Sequence, residues 1–139
     1  MRHRNVGRKL GRNASHRKAL KMNLTCELFK HHRIVTTVEK AKETRPFAER
    51  LITLARTKSL VNVRRAVSLL GNNRHAKAVA KHLFDEIAPS MQGRPGGYTR
   101  IVRLSTRRLG DGGSEAVFEL VNYKPKAKTE APVAAAKQA

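Results

Sequence analysis

The sequence predicts an α+β fold in which three to four helices pack on a small antiparallel sheet or hairpin. Apolar residues recur at helical spacing in four separate stretches of the first ninety residues or so. Two later runs rich in β-branched and alternating residues flank the turn Gly110 to Gly113. Polar caps, glycines and prolines stand between the runs, where helices and strands should stop. With 139 residues and 40% hydrophobic content, the chain has room for one domain with a real core.

Residues 1–14 scatter Asn5, Gly7, Gly11 and Asn13 among cations and present almost no apolar face. Ordering backbone costs about 1–2 kcal/mol per residue, and this segment buries nothing in return. It reads as a basic arm, extended or loose alone and ordered on binding. Ser15 then reads as the N-cap of a helix whose stripe is Leu20, Leu24, Leu28 and Phe29. Arg33 to Val38 is β-branched and short, an extended piece or strand. Thr36 and Glu39 have capping-box spacing and open a second helix with Ala41, Thr44, Ala48, Leu51, Ile52 and Ala55 inward. Pro46 within that run predicts a kink or restart, since an interior proline costs roughly 3 kcal/mol.

Ser59 caps a third helix with Val63, Ala66, Val67 and Leu70 on its inner side, and Gly71 stops it. Asn72 or Asn73 starts a fourth, carrying Ala76, Val79, Ala80, Leu83, Phe84 and Ile87, and Pro89 is expected to end it. A glycine-rich loop leads into the strand Tyr98 to Leu104, and Glu115 to Val121 alternates Ala116, Phe118 and Leu120 against its other face. Residues 15–123 form the globular domain. Residues 124–139 are Lys, Ala and Pro of low complexity, a disordered tail.

The charge pattern is the main functional signal. Thirty Lys and Arg face ten Asp and Glu, a formal net charge of +20. The first stretch holds Arg2, Arg4, Arg8, Lys9, Arg12, Arg17, Lys18 and Lys21 before any carboxylate, the first being Glu27. Like charges within a Debye length of roughly 10 Å repel, so the partner is expected to be a polyanion. Aromatic residues make up 4% with no Trp, too few for the base-stacking platforms of single-strand binders. Phosphate and sugar contacts to a shaped duplex or folded RNA fit better. A second candidate is the loop Gly93 to Arg100, where Gly93, Gly96 and Gly97 let backbone approach phosphates beside Arg94 and Arg100, and Tyr98 could stack on a base or bond a phosphate.

Other chemistries find little support. His3, His16, His31, His32, His75 and His82 offer no metal-ligand spacing, so no metal is expected. The carboxylates are scattered, Asp85 and Glu86 point about 100° apart on a helix, and no nucleotide-binding glycine loop is present. Neither an enzyme nor a cofactor is expected. Cys26 sits among Leu24, Leu28 and Phe29, where a small core residue is the simplest reading, and as the sole cysteine it suggests no oxidising compartment. No run is long and apolar enough for a bilayer, and the first helix has a narrow stripe, which argues against membrane insertion. A nucleoid-type DNA binder remains an alternative of the same size and charge.

Three segments in this order, "MRHRNVGRKLGRNASHRKAL", "IVTTVEKAKETRPFAERLITLAR" and "RPGGYTRI", strongly resemble the bacterial large-subunit ribosomal protein L17 family. The resemblance runs from Met1 to about Val121. It implies a structural, cytoplasmic constituent of the large ribosomal subunit, binding large-subunit rRNA near the mouth of the polypeptide exit tunnel. The neighbours it implies are the large-subunit proteins numbered twenty-two and thirty-two, with no homo-oligomer and no membrane partner. It adds His3 to the rRNA contacts along with Arg2, Arg4, Arg8, Lys9 and Arg12 of the arm, and it supports Arg94, Tyr98 and Arg100 of the loop.

Overall fold

The computed structural model describes His3 and residues 7–121. Arg2, Arg4 and the tail 124–139 lie outside the described residues. The first helix, α1 (Ala14–His31), starts two residues earlier than a cap at Ser15 would dictate. Asn13 is its cap: its side-chain oxygen accepts the His16 N–H at 2.8 Å and the Ser15 hydroxyl at 3.0 Å. Asn and Ser cap about equally well, so the extended backbone at Asn13 decides between them. Thr25, Cys26, Leu28 and Phe29 are buried, whereas Leu20 and Leu24 are half-buried. The second half of α1 therefore enters the core and the first half lies along the surface. Cys26 is 5% exposed, and burial raises its thiol pKa, as suits a packed and unreactive side chain.

Strand β1 (Arg33–Thr37) runs directly into α2 (Val38–Ala55). The capping box expected from Thr36 and Glu39 does not form, because Thr36 is engaged in the sheet opposite Ala116, and Thr37 caps without a side-chain bond. The restart expected at Pro46 is absent too: α2 is continuous. Pro46 is exposed and so is Lys42, whose carbonyl loses its helical partner and can turn to water instead. Val38, Ala41, Thr44, Ala48, Leu51, Ile52 and Ala55 bury the opposite face and hold the helix through that site.

Helix α3 (Leu60–Leu69) is capped by Ser59, whose hydroxyl accepts the Asn62 N–H at 3.2 Å. The Asn62 amide in turn donates to the carbonyls of Leu54 and Thr57, which fixes the turn from α2. Gly71 follows at φ +108°, a left-handed backbone that favours glycine, while a Cβ there would meet only the Met22 methyl, the end of a flexible side chain that can move aside. Asn73 caps α4 (Arg74–His82) through a 2.6 Å bond from the Ala76 N–H.

Beyond His82 the helix widens into a π turn at Leu83–Ile87 and closes with a short turn at Ala88–Ser90. Pro89 thus sits inside the last helical turn and does not end the helix. Its ring crowds the carbonyl four residues back, and the wider π turn before it relieves that crowding. Leu83, Phe84 and Ile87 stay buried through the change of pitch.

Strands β2 (Thr99–Arg107) and β3 (Ser114–Leu120) form the expected hairpin, and the sheet order is β1-β3-β2, antiparallel throughout. Ile34, Phe118 and Ile101 align across the three strands on the face that meets the helices. Glu49 of α2 accepts the Thr99 hydroxyl at 2.8 Å and so fixes the start of β2 against the helix. No helix among the described residues is long and apolar enough to cross a membrane.

Two polar features withdrawn from solvent, one fully and one in part, yield tests. The Tyr98 ring is 1% exposed, and its hydroxyl has no hydrogen-bond partner among the described residues. An unpaired buried hydroxyl destabilises by about 1–3 kcal/mol, so Tyr98→Phe is expected to raise stability by about 1 kcal/mol in urea unfolding. A fall in stability would mean that the hydroxyl is bonded in solution.

The second is His32, which closes α1 in a left-handed conformation at φ 61°. Its ring lies 3.2 Å, nitrogen to nitrogen, from His82. Burial first, and then the His82 and His31 charges, lower the His32 pKa from 6.5 to about 4, against a smaller upward pull from Glu86. The unfolded chain therefore binds a proton between these values that the folded chain rejects. Stability should be complete above pH 6.5 and fall as the pH drops toward 4. In His32→Asn, a replacement that tolerates the left-handed backbone, the urea midpoint should lose less over that window. Parallel curves for the two proteins would show that His32 does not carry the effect.

Candidate nucleic-acid interface

The arm does not simply hang from α1. The carboxylate of Glu43, on α2, accepts the backbone N–H of Arg8 at 3.0 Å, and its other oxygen lies 3.6 Å from the Lys21 ammonium. Farther along, the Arg12 N–H donates to the Lys9 carbonyl at 3.1 Å, and the Arg17 guanidinium donates to the Arg12 carbonyl at 2.8 Å. The last residues of the arm are thus folded back against α1 and α2. Arg17 spends part of its guanidinium on this fold, while Lys9 and Lys18 are exposed and Arg12 is half-buried.

These contacts enclose a surface cavity of about 500 Å³ lined by Gly7, Arg8, Lys21, Glu43, Pro46 and Arg50. Three elements bring Arg8, Lys21 and Arg50 around one carboxylate, which leaves an excess of positive charge at the rim. Arg50 was not among the sequence candidates. Its place on the exposed side of α2, two turns beyond Glu43, is the signal that could have found it. His3 is described and exposed.

The glycine loop behaves differently from the sequence expectation. Tyr98 belongs to the core and cannot stack on a base from this position. Gly97, at φ +62°, turns the chain just before β2, so Tyr98 breaks the alternation that leaves Arg100 exposed and Thr99 buried. Its carbonyl accepts the Val121 N–H at 3.0 Å, which fastens the loop to the end of β3. Arg94 is half-buried.

Arg100 lies on the outer face of the sheet, where the register aligns Arg33, Glu119 and Arg100 across the three strands. Arg33 and Arg100 approach the Glu119 carboxylate to 2.6 Å and 3.6 Å. One carboxylate between two guanidiniums leaves this row cationic. The next row is Val35, Val117 and Val102, with Val35 58% exposed. Arg33 was another omission, visible once β1 is paired with β3.

A separate cavity of about 630 Å³ lies between α3 and α4. Val63, Val67, Ala80 and Phe84 line it, and Lys58, Arg64, Lys77 and Lys81 stand at its edge. Lys58 is held by Asp85 at 2.6 Å. Cations therefore gather around this cavity as well as around the base of the arm.

Comparison with known proteins agrees with the resemblance carried by the three sequence segments. Residues 20–121 match the family described as Ribosomal protein L17. The large ribosomal subunit protein bL17 of Desulfotalea psychrophila is 50% identical over 123 residues, covering 88% of this chain and 92% of that protein. The bL17 protein of Nautilia profundicola is 46% identical over 121 residues, 87% of this chain and 98% of its own length. That of Methylacidiphilum infernorum is 51% identical over 119 residues, 86% and 87% of the two chains. With the α+β body, the cationic arm and these matches over most of its length, the chain belongs to the ribosomal protein L17 family, a family of large-subunit ribosomal proteins.

Proposed function

We propose that this chain is a non-catalytic structural constituent of the large ribosomal subunit, in the cytoplasm, that binds and stabilises large-subunit rRNA near the mouth of the polypeptide exit tunnel. The tunnel location and the neighbouring proteins numbered twenty-two and thirty-two come from the family resemblance. The observation that carries the binding reading is the cluster where Arg8, Lys21 and Arg50 outnumber Glu43. A net charge of +20 on a folded body needs an external source of negative charge, and folded RNA supplies it at high density.

In this reading the helical body docks on RNA shape, and the arm follows the groove or gap between RNA helices. Arg8, Lys9, Arg12, Lys18 and Lys21 neutralise phosphates, with Arg2, His3 and Arg4 extending the track. Arg17 contributes one side of its guanidinium and braces the arm with the other. Arg94 and Arg100 add contacts from the loop and the sheet. Base reading is minor, because folded RNA is recognised largely through shape, phosphates and 2′-hydroxyls.

The geometry makes a clean test possible. Glu43 binds the backbone of Arg8 and not its guanidinium, so Arg8→Ala with Arg12→Ala removes cations and leaves the tether in place. The double variant should bind protein-stripped large-subunit rRNA at least tenfold more weakly near 0.1 M salt, with an unchanged circular dichroism spectrum. For the wild type, log K against log salt should have a slope of roughly −5 to −7, at about 0.7–0.9 per phosphate contact. Equal affinity for duplex DNA and for the rRNA would favour a general nucleic-acid binder and overturn the ribosomal assignment of this surface.

A further inference from the structure

The hairpin between β2 and β3 leaves the body early. Thr99 is buried and Ile101 half-buried, but every residue from Val102 to Gly112 is exposed. A two-stranded ribbon with both faces in water is marginal by itself, so its persistence here needs local bracing. The turn supplies some. The Arg108 N–H donates to the Gly113 carbonyl and the Gly112 N–H to the Arg108 carbonyl, each at 3.0 Å. The Arg108 guanidinium bonds both oxygens of Asp111, which also accepts the Gly113 N–H at 3.2 Å.

At this braced apex Leu109 is 98% exposed. Below it, Leu104, Ser105 and Thr106 stand opposite Glu115 alone, between the pairs Arg103–Ala116 and Arg107–Ser114. Such an insertion bends and twists the ribbon. Asp111 is already engaged by Arg108, and neither Arg103 nor Arg107 forms an ion pair with a carboxylate among the described residues. The ribbon thus presents two uncompensated arginines on its β2 strand and a single leucine at its tip.

We propose that this hairpin is a second RNA-binding element, separate from the arm, in which Arg103 and Arg107 contact phosphates and Leu109 packs on the apolar face of a ribose or an unstacked base. The proposal rests on the rRNA-binding reading above. A protein partner fits less well, because the core of a protein interface is depleted in charge, whereas here Val102, Leu104 and Leu109 alternate with arginines along a narrow ribbon. RNA accepts that mixture: arginine meets the backbone, and single apolar or planar groups meet splayed nucleotides.

The test uses the full chain and protein-stripped large-subunit rRNA, titrated across a salt series. Arg103→Ala with Arg107→Ala should weaken binding about tenfold or more near 0.1 M salt and make the slope shallower by ~1–2, while Arg103→Lys with Arg107→Lys keeps the wild-type slope. Leu109→Ala should lower affinity several-fold without changing the slope. Hydroxyl-radical footprints should show the alanine pair losing a set of protected nucleotides that differs from the set lost by Arg8→Ala with Arg12→Ala. Wild-type affinity and slope in the hairpin variants, with the arm variant still impaired, would overturn this inference and leave the rRNA reading standing. A wild-type chain that fails to bind the rRNA at all would overturn both.

Discussion

The whole molecule is organised around a shortage of negative charge. Ten carboxylates must serve a chain with thirty Lys and Arg, and four of them stand where two elements are joined. Glu43 links the arm and α1 to α2. Glu119 sits on the central strand between arginines of both its neighbours. Glu49 binds Arg45 on its own helix and Thr99 at the start of β2, and Asp85 reaches Lys58 before α3. Exposed ion pairs of this kind contribute at most about 1 kcal/mol each, so they guide geometry more than they supply stability. Their placement leaves Lys9, Lys18, Arg103 and Arg107 exposed with no carboxylate beside them among the described residues.

Stability against that self-repulsion comes from the apolar layer beneath. α2 supplies Leu51 and Ile52, the sheet supplies Phe118, and the fourth helix supplies Leu83 and Ile87, all fully buried. Such side chains contribute about 1.5–3 kcal/mol each when removed from water. Because this core involves none of the arm or the hairpin tip, cations in those segments can change without touching the packing. In the RNA-binding reading, folding and binding thereby fall to different residues.

Much of this was legible in advance where one local rule acted alone. Ser59, Asn73 and Gly71 mark helix ends by side-chain or backbone chemistry that needs no distant partner, and the structure places them there. The alternation of Ala116, Phe118 and Leu120 likewise places β3 with its buried face inward. Legibility failed where two rules competed. Thr36 has capping-box spacing, but pairing with Ala116 claims it for the sheet. Pro89 signals a stop, but a π turn absorbs it. Tyr98 looks like a surface aromatic in a glycine loop, and only the turn at Gly97 shows that it points into the core. In the cationic surface the arm was visible as an unbroken charge run. Arg50 and Arg33 were not, since each gains its neighbours from another element.

This division has a consequence for how the protein orders its extremities. The arm base is already folded against α1 and α2 by backbone bonds to Glu43 and to the Arg17 side chain, and the hairpin apex is closed by Arg108 and Asp111. Both are braced in the free protein, so in the RNA-binding reading little backbone ordering at these two points is left for binding to supply. Backbone ordering costs about 1–2 kcal/mol per residue, so bracing even a short segment in advance weighs as much as one or two phosphate contacts. In the RNA-binding reading, two of the scarce carboxylates would aid association without touching the partner: Glu43 holds the Arg8 backbone and Asp111 closes the hairpin apex, so that the Arg8, Arg103 and Arg107 heads stay available for phosphate.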